Sequence, residues 1–127
     1  MTAYWCYVLK LADYCFYVGI SGNIDLRIRQ HFNHDGGSRW CYLHLPKEVI
    51  YLEKFESSLA AFRQEKKKTV ELMREHGFRK VRGADSLNCQ PTCYTPGAIR
   101  FWVPRELQED ALAGKLGAVD PEPIYAF

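Results

Sequence analysis

The sequence predicts an α+β domain in which a small central antiparallel sheet of about three strands, in β-β-α-β-α order, is flanked by helices. Three observations predict this fold class: two short aromatic and β-branched runs four residues apart, a third such run, and two stretches of helical periodicity. A chain of 127 residues has about the length of one domain. Its 47% hydrophobic and 25% charged residues exclude a disordered chain.

The first half of the chain predicts a hairpin followed by a helix. Trp5–Lys10 and Cys15–Ile20 are the two runs, and the short gap between them is typical of a β-hairpin. Ser21 or Asn23 is the predicted N-cap of the helix. Its apolar positions recur every four residues, at Ile24, Ile28 and Phe32.

A third strand and a long second helix are predicted next. Val49–Phe55 has strand composition, and Ser57 or Ser58 can cap a helix that runs to about His76, where Gly77 stops it. Beyond this helix the sequence pattern predicts secondary structure less clearly.

The chain is predicted to divide into a main domain, residues 1–86, and a C-terminal extension, residues 87–127, packed on it. The extension has a candidate fourth strand, Ile99–Val103, and a candidate short helix, Glu106–Leu112.

The charges are unevenly distributed along the chain. Residues 60–82 carry eight Lys and Arg against three Asp and Glu, whereas residues 103–127 carry two against five. A basic middle indicates a polyanionic partner, although charge alone does not name it.

The sequence indicates a cytoplasmic protein without a membrane partner. Its longest apolar run, Ala3–Leu9, is far shorter than the ~20 residues of a membrane span, and no basic-then-apolar leader follows Met1. Five cysteines are an odd number, so we expect reduced thiols. Cys89 and Cys93 have the spacing of one pair of zinc ligands, with Cys41 and His44 as the tempting completions. Structural Zn²⁺ is disfavoured because such sites normally have four protein ligands.

Glu65 is the first candidate functional residue. At 100° per residue from Leu59, the apolar side chains of the second helix occupy an arc from about 220° to 20°, and Glu65 falls inside it at about 240°. An inward carboxylate costs several kcal/mol unless it is paired, protonated or bound to a metal. Glu65 therefore needs a partner, which is either a metal or a salt bridge to a residue such as Arg27 or Lys66.

Arg27 and His31 are two further candidate functional residues. They lie four residues apart on one face of the first helix, beside its apolar stripe, where side chains can line the rim of a cleft. Periodicity alone favours a simpler alternative, a solvated arginine and a histidine at the edge of the core.

Together these residues resemble the GIY-YIG nuclease family over residues 4–86. Tyr7 matches the tyrosine of the first family motif, and Tyr17-Val18-Gly19 matches the second. Arg27, His31 and Glu65 fall where the family has its catalytic arginine, its His or Tyr, and its metal-binding glutamate. Five positions in the right order are much more specific than any one of them.

The sequence also departs from the family at several points. Trp5-Cys6 replaces the Gly-Ile of the first motif, and Lys80 stands where small members have an Asn. Asn88 is the nearest asparagine. His44 lies in a segment similar to one in the same small members, and a structural role is at least as plausible for it as a role in the site.

The resemblance implies a metal-dependent DNA endonuclease. Glu65 would hold Mg²⁺ or Mn²⁺, and Arg27 would stabilise the transition state. Tyr7 would be the general base, its pKa lowered by neighbouring cations, and Tyr17 would hold the water or a phosphate oxygen. His31 would position Tyr7 or take the proton onward. The alternatives are an inactive DNA-binding module on the same fold and a cysteine-based redox or zinc protein.

Candidate DNA contacts lie on the second helix, after it and in the loop Gly36–Trp40, where Trp40 could stack on a base. A solvated helix face is the alternative reading of the basic residues. A homodimer or a partner protein would have to add any sequence specificity. The candidate contacts are Arg39, Trp40, Arg63, Lys67, Lys68, Arg74, Arg79, Lys80 and Arg82.

Overall fold

The computed structural model of the protein confirms the predicted α+β fold. Among the residues that the structure describes, a mixed sheet of four strands lies at the centre, with helices packed on both faces. The described part of the chain comprises residues 3–36, 38–83 and 103–117.

The sheet is built on the predicted hairpin. Strands β1 (Tyr4–Leu11) and β2 (Phe16–Ser21) pair antiparallel, and a 3-10 turn joins them. Strand β3 (Pro46–Phe55) pairs antiparallel with β1, and β4 (Val81–Arg82) pairs parallel with β2. The strand order is β3-β1-β2-β4.

The fourth strand of the described sheet was not predicted. The prediction was Ile99–Val103, of which residues 99–102 lie outside the described ranges and Val103 is not in a strand. The fourth strand is β4, which reaches β2 only after the chain has crossed the sheet in a helix. A two-residue strand formed in this way has no local pattern, because a parallel pair depends on a distant crossover.

The helices begin at polar caps, as predicted. Helix α1 (Ile24–Asn33) is capped by Asn23, whose side chain accepts a hydrogen bond from the Leu26 N–H. After the short helix α2 (Arg39–Leu43), helix α3 (Ser58–His76) is capped in the same way by Ser57. These contacts decide the alternatives in favour of Asn23 and Ser57.

Gly77 ends α3 as predicted. It has a φ of 91°, and a Cβ there would lie 2.8 Å from the Leu116 carbonyl oxygen. The next residue, Phe78, donates its N–H to that carbonyl at 3.0 Å. Only glycine allows this close approach, and it attaches the C-terminal segment to the end of α3.

Side chains alternate between two cores on the two faces of the hairpin. Tyr7, Leu9, Leu11, Cys15 and Tyr17 pack towards α1 and α2, together with Trp40 and Cys41. Cys6, Val8, Phe16 and Val18 pack on the other face with Met73 of α3. Cys6, Cys15 and Cys41 are buried, and none of these three described cysteines is in a disulfide.

The C-terminal segment completes the second core. A 3-10 turn, Arg105–Leu107, leads into helix α4 (Gln108–Leu112), close to the predicted short helix. Leu107 and Ala111 are buried in the core beside β1 and β2. The predicted domain boundary at residue 86 lies outside the described ranges, and so do Cys89 and Cys93. Among the described residues no helix is long and apolar enough to cross a membrane.

Candidate active site

Tyr7 lies directly over Gly19 in the β1–β2 hairpin. The two residues are partners in the register, and Tyr7 is completely buried. A Cβ at Gly19 would lie 2.5 Å from the Tyr7 Oη, so only glycine leaves room for the phenol. Gly19 is therefore a site residue in its own right. Gly19 was singled out only as part of the second family motif, although a glycine inside an apolar strand is itself a signal for a close approach.

His31 of α1 contacts the Tyr7 hydroxyl. The Tyr7 Oη and the His31 Nε2 are 2.7 Å apart, and His31 is 1% exposed. The Tyr17 ring completes the group, with its centroid 6.2 Å from that of Tyr7 and 5.1 Å from that of His31. The structure thus brings three of the five predicted catalytic residues into one buried cluster.

Arg27 faces both tyrosines from the rim of the cluster. Its Nη1 donates to the Gln30 Oε1 at 3.2 Å and to the Gly36 carbonyl at 2.9 Å. Gln30, which the sequence analysis did not single out, lies one helical turn after Arg27. Its side chain and the Gly36 carbonyl together orient the guanidinium.

The electrostatics of the two phenols differ from the expectation. Burial raises the pKa of Tyr7 above its ordinary value, and the Arg27 guanidinium offsets only part of that rise. Burial likewise raises the pKa of Tyr17. Arg27 does lower the pKa of each phenol, as predicted for Tyr7. Burial raises the pKa by more, because a buried phenolate loses its hydration.

His31 is neutral over most of the pH range. Burial, and then the positive charge of Arg27, lower its pKa to about 4. Tyr7, Tyr17 and Arg27 are the titratable groups facing it from β1, β2 and α1.

We expect this buried histidine to make the fold sensitive to acid. Between pH 6.5 and about 4 the unfolded chain binds a proton at His31 and the folded protein does not. As the pH decreases across this window, the free energy of unfolding should therefore decrease, by about 3 kcal/mol in total. Chemical denaturation at several pH values would measure the slope. Replacement of His31 by Gln should flatten it, and parallel profiles would contradict the prediction.

Glu65 lies on the buried face of α3, as the helical angles predicted. A stripe of buried residues at four-residue spacing contains it: Ala61, Glu65, Thr69 and Met73. Glu65 is 9% exposed, and its negative charge contributes to raising the pKa of Cys6 and of Tyr17. The predicted apolar arc was wrong for Leu59 and Phe62, in the first turns of the helix, which are 56% and 42% exposed. Lys66, one suggested salt-bridge partner, pairs with Glu106 at 3.1 Å.

Glu65, as a single carboxylate on α3, fits a hard divalent cation that retains water ligands. Among the described residues no three His, Cys, Asp or Glu side chains are grouped as a metal cage. A single buried carboxylate such as Glu65 suits Mg²⁺, which keeps several water ligands and takes others from phosphate.

Two predicted DNA contacts are instead buried structural residues. Trp40 is 1% exposed and donates its Nε1–H to the Phe16 carbonyl at 3.0 Å. Arg82 is fully buried, and its guanidinium lies 4.2 Å from the Trp40 ring centre. Neither side chain can contact DNA in this arrangement. Both were predicted to lie on the surface, because nothing local shows that an arginine and a tryptophan about forty residues apart stack.

The basic residues of α3 lie away from the cluster. Arg63 and Lys67 are two residues on either side of Glu65, and thus about 160° around the helix from it. With Arg74 they line a surface pocket of about 390 Å³. The structure does not bring these residues together with Tyr7.

The remaining candidate contacts lie elsewhere on the fold. Arg39 is exposed on α2, and the Lys68 Nζ lies 4.3 Å from the ring centre of Tyr51. Lys80 donates to the Asp13 carbonyl at 3.2 Å, in the turn of the hairpin. The Asp13 carboxylate lies 3.0 Å from the His44 Nδ1, and this contact lets His44 brace the turn.

The fold and the residues on it define a nuclease-type domain. The family model for the GIY-YIG catalytic domain matches residues 3–74, more than half of the chain, and the chain belongs to the GIY-YIG family. It is similar to a UPF0213 protein of Natronomonas pharaonis, with 31% identity over 62 residues, or 49% of this chain and 72% of that relative. It is also 31% identical over 65 residues to a UPF0213 protein of Staphylococcus haemolyticus, or 51% of this chain and 78% of that relative. No solved structure matches the chain.

Proposed function

We propose that the protein is a metal-dependent endonuclease that hydrolyses phosphodiester bonds in DNA. The observation that carries the proposal is the buried contact between the Tyr7 hydroxyl and His31, with the Arg27 guanidinium facing the same phenol. A phenol with these two neighbours is a candidate general base. Membership of the GIY-YIG family supports DNA as the substrate.

In the proposed reaction Tyr7 acts as a phenolate. It takes a proton from the attacking water, the water oxygen bonds to phosphorus, and the bond to the leaving oxygen breaks. Arg27 places its donors beside the charge that develops on the phosphate. Tyr17 holds the water or a phosphate oxygen through its hydroxyl.

Glu65 would hold the metal ion, preferably Mg²⁺ or Mn²⁺. When bound, the ion would neutralise charge on the phosphate and on the leaving oxygen. Because Tyr7 has no exposed surface, the cluster has to open locally for DNA to reach it. Arg27 lies at the rim, only partly buried, and is the side chain we expect to move.

The proposal is tested by cleavage of a labelled panel of single-stranded, duplex, flapped and four-way-junction DNA with Mg²⁺ or Mn²⁺. Glu65→Gln keeps the shape of the side chain and removes its charge. We expect it to lower the cleavage rate by about 1,000-fold, the equivalent of several kcal/mol of metal-dependent stabilisation, while DNA binding persists.

Glu75→Gln is the matched control, because Glu75 is exposed on the same helix. It should cleave like the wild type. If the wild type cleaves none of the substrates, or Glu65→Gln cleaves as fast as the wild type, the catalytic proposal is wrong. A DNA-binding module would then be the better description.

A further inference from the structure

The backbone N–H of Ser38 is held in a fixed position at the start of α2. The Ser38 Oγ accepts a hydrogen bond from the Trp40 N–H at 3.2 Å, and its carbonyl accepts one from the Cys41 N–H at 3.0 Å. The Ser38 N–H itself points away from α2 and donates to the His31 Nδ1 at 3.3 Å. The first turn of α2 thus contacts the ring that contacts Tyr7.

This contact determines which nitrogen of His31 carries the proton. A ring nitrogen that accepts a hydrogen bond cannot bear a hydrogen, so the Nδ1 is unprotonated and a neutral ring has its proton on Nε2. We infer that the Ser38 backbone N–H is a positioning group that fixes the Nε2–H form of His31, so that His31 donates to the Tyr7 Oη. The inference rests on the proposed function for its catalytic meaning.

Trp40 and Arg82 hold this arrangement in place. Trp40 anchors α2 to β2 through its hydrogen bond to the Phe16 carbonyl, and the Arg82 guanidinium lies over the indole ring. The Arg82 Nη1 donates to the carbonyls of Phe78 and Val81 at 2.9 and 2.8 Å. The position of Ser38, at the start of α2, therefore depends on how Trp40 and Arg82 anchor that helix.

The direction of the hydrogen bond has a chemical consequence. A donor to Oη favours the phenolate form of Tyr7, the form that accepts a proton from water. The same tautomer excludes His31 as the acceptor of the Tyr7 proton, because its Nε2 already carries a proton. The proton that Tyr7 loses before each turnover must then leave by a route other than His31.

Two substitutions at Ser38 separate the N–H from the side chain. Ser38 has φ −61° and ψ 140°, which proline adopts without strain, so Ser38→Pro removes the N–H while keeping the backbone path. Ser38→Ala keeps the N–H and removes only the hydroxyl cap. The nitrogen chemical shifts of His31 in ¹⁵N-labelled protein, read by NMR without DNA, report its tautomer directly.

We expect the wild type and Ser38→Ala to show the Nε2–H form and Ser38→Pro to show a mixture of the two tautomers. We also expect Ser38→Pro to lower kcat about tenfold relative to Ser38→Ala with KM unchanged, the scale of one hydrogen bond. A wild-type His31 with its proton on Nδ1, or equal loss in both variants, would overturn the inference. Inactive wild-type protein would overturn the proposed function, and the control of the tautomer by Ser38 would still be supported if His31 shows the Nε2–H form in the wild type and a mixture in Ser38→Pro.

Discussion

Tyr7→Phe should greatly slow DNA cleavage while leaving the fold intact. The substitution removes only the hydroxyl, so the ring still fills the space over Gly19. Loss of a general base typically lowers the rate by about 10²- to 10⁴-fold, and we expect a fall in that range in kcat under saturating DNA. The buried His31 loses its partner, which should cost about 1–3 kcal/mol of stability. Single-turnover cleavage and chemical denaturation would measure the two effects.

Tyr51→Phe is the matched control for this experiment. Its hydroxyl donates to the Glu53 carboxylate on the other face of the sheet, at 2.7 Å. We expect it to retain wild-type cleavage. If Tyr7→Phe cleaves within threefold of the wild type, Tyr7 is not the base and another group must activate the water.

Gly19→Ala should be nearly as damaging although it adds a single methyl group. The added Cβ would lie 2.5 Å from the Tyr7 Oη and 3.0 Å from the Tyr17 Cε2, so the rings must move. Movement of Tyr7 breaks its 2.7 Å contact with His31. We expect kcat to fall about 100-fold, and stability to fall by about 1–3 kcal/mol as in other overpacked cores.

Gly22→Ala provides the comparison for Gly19→Ala. A Cβ at Gly22 would have Tyr4 as its nearest side chain, at 3.6 Å, which is ordinary contact. Cleavage and denaturation midpoints should stay close to those of the wild type. An active Gly19→Ala protein would show that the Tyr7 ring does not need its described position.

The hairpin, the caps and the inward face of Glu65 could be predicted because local patterns encode them. Asn23 and Ser57 show their role by residue type and position, and the period of α3 places Glu65 against the sheet. The family resemblance then separated Tyr7 from the other tyrosines, which periodicity alone could not do.

What escaped prediction depends on contacts between distant parts of the chain. Arg82 has the residue type of a surface DNA contact, yet the carbonyls of the turn before it and the Trp40 ring bury it completely. The pairing of Ser38 with His31 depends on a short helix that the sequence did not indicate. Such tertiary contacts override local propensity and leave no periodic signal.

The position of Arg82 also bears on how this domain can be moved between proteins. The family match ends at residue 74, but the stack that holds α2 uses carbonyls and a guanidinium at residues 78–82. The unit recognised by sequence is therefore shorter than the unit that can be inherited or transplanted intact. A recombination event with its crossover between α3 and β4 would carry over all five family positions and lose the inner support of Trp40. Successful exchanges between relatives should have their junctions after residue 83.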